Sequence, residues 1–118
     1  MAGDAYDTIE RFWATQDGGD YEATVALFAD DAVLDDPLFG TFEGRDAIAG
    51  FMAKMNEAVA KTNGSFRALE IAGGDDAAWA RWEWTSDRGV RTGVGIYRCR
   101  DGKITYYRDY LDEAPDQQ

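Results

Sequence analysis

The spacing of the apolar residues changes once along this chain, near Ser65, and that change limits the folds open to it. Upstream, apolar side chains recur every three or four positions, as a helix buried on one face requires. Downstream they alternate, as strands require. Helices first and strands afterwards cannot build repeated β-α-β units. They predict an α+β domain, with helices laid on one face of a curved, mostly antiparallel sheet. At 118 residues the chain makes one domain, 1–118, long enough to bury a core.

Asp4 or Asp7 can cap a first helix reaching about Gln16, with Ile9, Phe12 and Trp13 on one face. Asp17-Gly18-Gly19 stops it, and Asp20 caps a shorter second helix in which Tyr21, Val25 and Phe28 recur at helical spacing. A short strand is predicted over 32–36, then a loop through 39–44. A third helix over 45–61 has Ile48, Phe51, Met52, Met55 and Val59 as its buried stripe, the two methionines read as core packing in preference to a ligand-facing surface. Strands follow at 65–72, 77–86, 91–100 and 103–111, the last two joined by Asp101-Gly102, a hairpin signal.

There is no histidine in the chain, which removes the commonest general base and metal ligand together. Cys99 is the single cysteine, so no internal disulfide, Cys-rich zinc site or Cys–His pair can form. Acid–base chemistry must come from Asp, Glu, Tyr, Lys or Arg; no metal and no cofactor is expected. A net charge of −11 makes nucleic acid and anionic membranes poor partners. With no apolar run near membrane-spanning length and no leader-like start, the expectation is a soluble cytoplasmic protein.

Asp35-Asp36-Pro37 ends the first strand, with two carboxylates on opposite faces. Asp36 alternates with Leu34, and Pro37 keeps it extended, so Asp36 is the one assigned to the interior. The same alternation, with arginines placed outside, gives the later strands a concave face of Trp82, Trp84, Gly95, Tyr97, Tyr107, Asp109 and Leu111. A one-residue slip in 77–86 would present Arg81 and Glu83 instead. Aromatic walls with a carboxylate describe a ligand pocket better than a closed core. The outer face, with Trp79, Ile96, Tyr106 and Tyr110, is apolar enough to predict a homodimer.

The string G-D-Y-E-A-T-V-A-L-F-A-D-D-A-V-L-D-D-P, then G-R-D-A-I-A-G-F, and the closing D-G-K-I-T-Y-Y-R-D-Y-L-D resemble SnoaL-like proteins and ketosteroid isomerases. Both belong to the nuclear transport factor 2-like (cystatin-like) superfamily. The resemblance spans essentially the whole chain, and it implies a cone-shaped α+β barrel with a pocket open at one end. It places Asp36 at the general base of ketosteroid isomerases. Phe12 and Gly95 fall where those enzymes carry the tyrosine and protonated aspartic acid of the oxyanion hole, so both donors are missing here. The closing Tyr107-Arg108-Asp109-Tyr110 looks more like limonene-epoxide hydrolase, whose aspartate at the Asp109 position orients water. That relative also needs an Arg-x-Asp pair on the central strand, which only the slipped register could approximate.

Two readings follow. In the first, Asp36 moves a proton on an apolar, ring-containing small molecule, with Asp109 as partner. The pocket would then be lined by Phe12, Leu34, Phe39, Trp82, Trp84, Gly95, Tyr97, Tyr107 and Leu111. In the second, the same pocket binds without turnover. Asp36 could instead cap local backbone or meet Arg45, and Asp109 could pair with Arg81 or Arg91. A shared cavity without a cationic partner would favour the first.

Overall fold

The computed structural model describes residues 3–18 and 20–112. Helix α1 (Asp4–Gly18) buries Ala5, Ile9, Phe12 and Trp13, a single stripe at helical spacing. The first N–H groups of a helix have no acceptor within it. Here those of Ala5 and Tyr6 donate to the carbonyls of Asp75 and Gly74 at 3.0 and 3.1 Å. The Asp4 carboxylate accepts the Gly102 N–H at 3.0 Å. The start of α1 is thereby tied to two turns of the sheet.

The Asp20 carboxylate caps α2 (Tyr21–Ala26), accepting from the Ala23 N–H at 3.1 Å. Strand β1 (Phe28–Asp36) begins four residues before the 32–36 predicted for it. Phe28, read as the end of the helical stripe, is fully buried at the head of this strand. Irregular pairing between Phe28 and Val33 hides the strand period over that stretch. Strand β2 (Gly40–Glu43) corrects the predicted loop: it pairs antiparallel with β1, Asp36 opposite Gly40 and Val33 opposite Glu43. Four residues with Phe42 as their one large apolar side chain carry no readable period; the pairing comes from β1.

Helix α3 (Arg45–Lys61) has the predicted bounds. Gly44 at its start has φ 92°, a conformation that favours glycine. The helix packs on β1 and β2. Within its predicted stripe only Ile48 is fully buried, whereas Phe51, Met52, Met55 and Val59 are half-buried.

Strands β3 (Ser65–Gly73), β4 (Ala77–Ser86), β5 (Gly89–Arg100) and β6 (Lys103–Leu111) form the antiparallel meander. Strand β1 lies parallel to β6, giving a mixed six-stranded sheet in the order β2-β1-β6-β5-β4-β3. The sheet is curled and has two ends, so the expected barrel is not closed.

Cross-strand pairing settles the faces. Trp82 lies opposite Gly93, Gly95 opposite Asp109, and Tyr97 opposite Tyr107. Trp82, Tyr97 and Tyr107 are buried. Arg81 and Glu83 point outward, where they pair with Glu70 and Arg67, each at 3.0 Å. The slipped register is excluded, and with it the inward Arg-x-acid pair that likeness to limonene-epoxide hydrolase requires.

Phe12, fully buried, is ringed by Trp13, Phe28, Tyr97 and Tyr107 with centroids 5.5–6.0 Å away. Phe12→Ala is expected to cost about 3–5 kcal/mol of stability in urea denaturation. A cost below about 1 kcal/mol would show that Phe12 is not the centre of this core.

Candidate functional site

The buried stripe of α1 covers the concave face from the turns at Asp75 and Gly102 as far as Trp13, and the turn of helix beyond it, with Thr15 and Gln16, borders open space. The remaining space between the sheet, α3 and the β1–β2 turn is a cavity of about 760 Å³, within the range of small-molecule sites. Leu34, Phe39, Trp82, Trp84, Tyr107 and Leu111 line it, with both Asp36 and Asp109.

Three residues expected at its wall lie behind it. Phe12 is enclosed by the aromatic core. Tyr97 is fully buried, its hydroxyl accepting from the Trp13 indole N–H at 3.0 Å. Gly95 is covered by its neighbours: a Cβ there would lie 2.6 Å from the Tyr97 hydroxyl and 3.1 Å from Asp109 Oδ1. Any larger side chain at 95 collides with these groups before reaching the cavity, so the residue accommodates Tyr97 and Asp109 rather than a ligand.

Conversely, Phe51, Met52, Met55 and Val59 of α3 face the cavity; Met52 also packs against the core as read, whereas Met55 does not. Helical spacing marks an apolar stripe without saying whether protein or empty space lies against it. Trp13 and Phe66 also reach the wall. Phe66 stacks on Trp84 with centroids 5.6 Å apart and planes 14° from parallel. The buried indole N–H of Trp84 finds no acceptor among the described residues.

Asp109 sits in this wall with each carboxylate oxygen engaged by a neutral donor. Trp82 Nε1 donates to Oδ1 and the Tyr107 hydroxyl to Oδ2, both at 3.0 Å. Burial raises its pKa to about 7, and the nearby charge of Asp36 adds to the rise; the bonds from Tyr107 and Trp82 oppose it. The Tyr107 and Tyr97 hydroxyls are held well above the usual phenol range, by burial first and by the Asp109 charge second. Both stay protonated, and Tyr107 is the one that donates to Asp109.

Asp36 is half-buried where β1 ends. Its Oδ1 accepts the N–H groups of Leu38 and Phe39 at 2.8 and 3.0 Å, a local turn that orients the carboxylate. Both of these bonds fall on Oδ1. Asp35 lies on the opposite face, accepting from the hydroxyls of Thr41 and Tyr106, with Arg108 3.4 Å away. Thr41, then Tyr106, lower its pKa.

Of the cationic partners considered for Asp36 and Asp109, Arg45 and Arg81 are engaged elsewhere, and Arg91 lines the cavity without an ion pair to either carboxylate. Arg45 pairs with Asp30 and donates to the Phe28 carbonyl, and Arg81 pairs with Glu70. Among the described residues neither carboxylate of the cavity has an ion-pair partner. No group of three His, Cys, Asp or Glu side chains among them could hold a metal. No helix among them is long and apolar enough to cross a membrane.

Three helices on a curled sheet, with an apolar cavity at the open end, form the fold seen in solved NTF2-like proteins. The SnoaL-like domain profile matches residues 9–107, and the chain belongs to that family. A candidate ketosteroid isomerase from Kribbella flavida superimposes with a TM-score of 0.81 at 17% identity, covering 98% of this chain and 82% of its own. An NTF2-like protein of unknown function from Mesorhizobium loti gives 0.80 at 22%, covering 93% and 92%. A candidate polyketide cyclase from Sinorhizobium meliloti gives 0.74 at 21%, covering 88% and 94%. At these identities the likeness establishes the fold alone. No curated protein matches by sequence.

The raised pKa of Asp109 has a consequence for stability. An unfolded chain releases this proton near 3.9, while the folded chain keeps it to about 7. Between those values the folded state binds the extra proton. Its stabilising contribution is therefore full below about pH 4 and is lost as pH rises through about 7. With no histidine in the chain, and the Cys99 thiol pushed up to about 12 by burial, little else titrates there. The melting temperature should fall from pH 5 to 8, and Asp109→Asn should flatten that fall. An equal fall in parent and variant would overturn the assignment.

Proposed function

We propose that this chain is a cofactor-independent acid–base enzyme. It binds an apolar, ring-containing small molecule and moves a proton on it, in an isomerase- or cyclase-type reaction. The observation that carries this reading is the pair of carboxylates on one apolar cavity, with no ion-pair partner among the described residues, one of them with a pKa of about 7. Two interacting carboxylates in such surroundings can hold acid and base roles at one pH.

Asp36 serves as the base. Its Oδ1 is anchored by two backbone N–H groups, which leaves Oδ2 to take a proton from a carbon next to a carbonyl. Asp109 serves as the acid. Its proton lies on an oxygen that already accepts one bond, so the O–H is free to be donated to the substrate carbonyl as negative charge develops there. The resemblance to ketosteroid isomerases leaves donors missing at Phe12 and Gly95. Asp109, directly opposite Gly95 on the next strand, supplies one from a different position.

Conjugation of β,γ-unsaturated cyclic ketones, followed by enone absorbance, and deuterium uptake at the α-carbon in D2O test this. Asp36→Asn is expected to lower kcat/KM about 100-fold or more, with affinity for an apolar probe retained. Turnover at the parent rate would remove Asp36 as the base. Tight binding without turnover by the parent would leave a ligand-binding protein.

The outer sheet face supports pairing with a second copy. Trp79 and Ile96 are cross-strand neighbours, exposed by 37% and 40%, and Tyr110 is exposed by 46%. The Arg67–Glu83 and Arg81–Glu70 pairs neutralise charge beside them, which suits self-association in a chain of net charge −11. Sedimentation at micromolar concentration should show twice the 13.1 kDa chain mass. Trp79→Glu should return it to a monomer, and a parent that sediments as a monomer would end the proposal.

A further inference from the structure

Resting on the cavity reading above, we propose a substrate class for it: an amphipathic anion, whose apolar ring body fills the cavity and whose anionic head group is held at the mouth by Arg91 and Arg88. Arg91 is the cross-strand partner of Trp84 and alternates with Gly93, Gly95 and Tyr97, so its position belongs to the concave face. Other arginines on these strands are placed differently. Arg81 is ion-paired on the outer face, and Arg98 and Arg100 are exposed at outward positions of β5. Arg88, in the β4–β5 turn, lines the same cavity as Arg91.

Neither guanidinium has a carboxylate partner among the described residues, whose ion pairs use Arg45, Arg67, Arg81 and Arg108. Asp87, next to Arg88 in the chain, and Asp112, across the strands from Thr92, are engaged by neutral groups. Asp87 accepts from the Asn63 amide at 3.3 Å, and Asp112 accepts from the Thr92 hydroxyl at 2.7 Å. Carboxylates outnumber cations 23 to 12 in this chain, so two unpaired guanidiniums on one apolar cavity form a local reversal of its charge. Arg recognises oxyanions through several donors at once, and it does so best beside a low-dielectric wall.

The polar groups are also spaced for such a ligand. Asp109 lies opposite Gly95, four residues along β5 from Arg91, or roughly 13 Å at strand rise. A head group at Arg91 would leave the apolar body to span that distance, with its far end at Asp36 and Asp109. An anion seated at the far end would meet the Asp36 charge instead, so the two ends of the cavity orient the ligand.

Two fluorescent probes with the same arylamine body test the head group. 8-Anilinonaphthalene-1-sulfonate carries the anion, and N-phenyl-1-naphthylamine lacks it. Both should bind the parent chain, the sulfonate more tightly. Replacing both arginines (R88Q with R91Q) should raise the sulfonate Kd about tenfold or more and leave the neutral probe unchanged. Arg98→Gln, on the same strand but the outer face, should change neither. An unchanged sulfonate Kd in the double variant, or an equal loss for both probes, would overturn the anionic-head inference while the cavity reading stands. Binding of neither probe to the parent would overturn both.

Discussion

The structure depends on how far one helix covers one sheet. The stripe Ala5, Ile9, Phe12 and Trp13 is buried against the concave face of a curled sheet, and α1 is tied at its start to the turns at Asp75 and Gly102. At that end Ala78, Ala80, Cys99 and Ile104 are buried as ordinary core. Beyond Trp13 the last turn of α1 and the apolar stripe of α3 border this face across open space. There the residues that continue its alternation, Trp84, Arg91 and Leu111, face a cavity instead. Core and site are thus two ends of one surface, divided where the buried stripe of α1 ends at Trp13.

That division makes the carboxyl chemistry possible. Asp109 lies where the packed end meets the open end, close enough to the core for burial to dominate its titration and close enough to the cavity to line it. Its two donors, Trp82 and Tyr107, are neutral, so they satisfy its oxygens without the full stabilisation that a guanidinium would give its charge. Had Arg81 or Arg91 paired with it, the same residue would be an ordinary structural anion. The register of β4 decides this, because it turns Arg81 outward to Glu70 and brings the indole of Trp82 to Asp109. Gly95 completes the arrangement by leaving room for the Tyr97 hydroxyl and the Asp109 carboxylate.

Much of this was legible in the chain. The change of period at Ser65, the caps at Asp20 and the hairpin at Asp101-Gly102 located the helices and the meander. The alternation of β4 to β6 assigned Trp82, Tyr97, Tyr107 and Asp109 to one face. These signals are local: each depends on a side chain's preference for a turn, a cap or a buried face, and such preferences act within a few residues. Strand β2 was not legible, because Gly40–Glu43 becomes a strand only where β1 offers it a partner. The head of β1 was hidden by irregular pairing from Phe28 to Val33.

The sequence alone determined the class of fold, the restriction of acid–base chemistry to groups other than histidine, and the alternation of the later strands, while the pairing of β4 decided which of its faces turns inward. Tertiary structure decided the rest: that Asp36 and Asp109 share one cavity, that Phe12, Gly95 and Tyr97 lie behind its wall, and that Met52 and Met55 face it. The physical reason is that periodicity reports which side of an element is apolar, but not what lies opposite. Whether an apolar stripe meets another side chain or an open space depends on the lengths and crossing positions of elements far apart in the chain. A carboxyl group's pKa depends on that same three-dimensional neighbourhood.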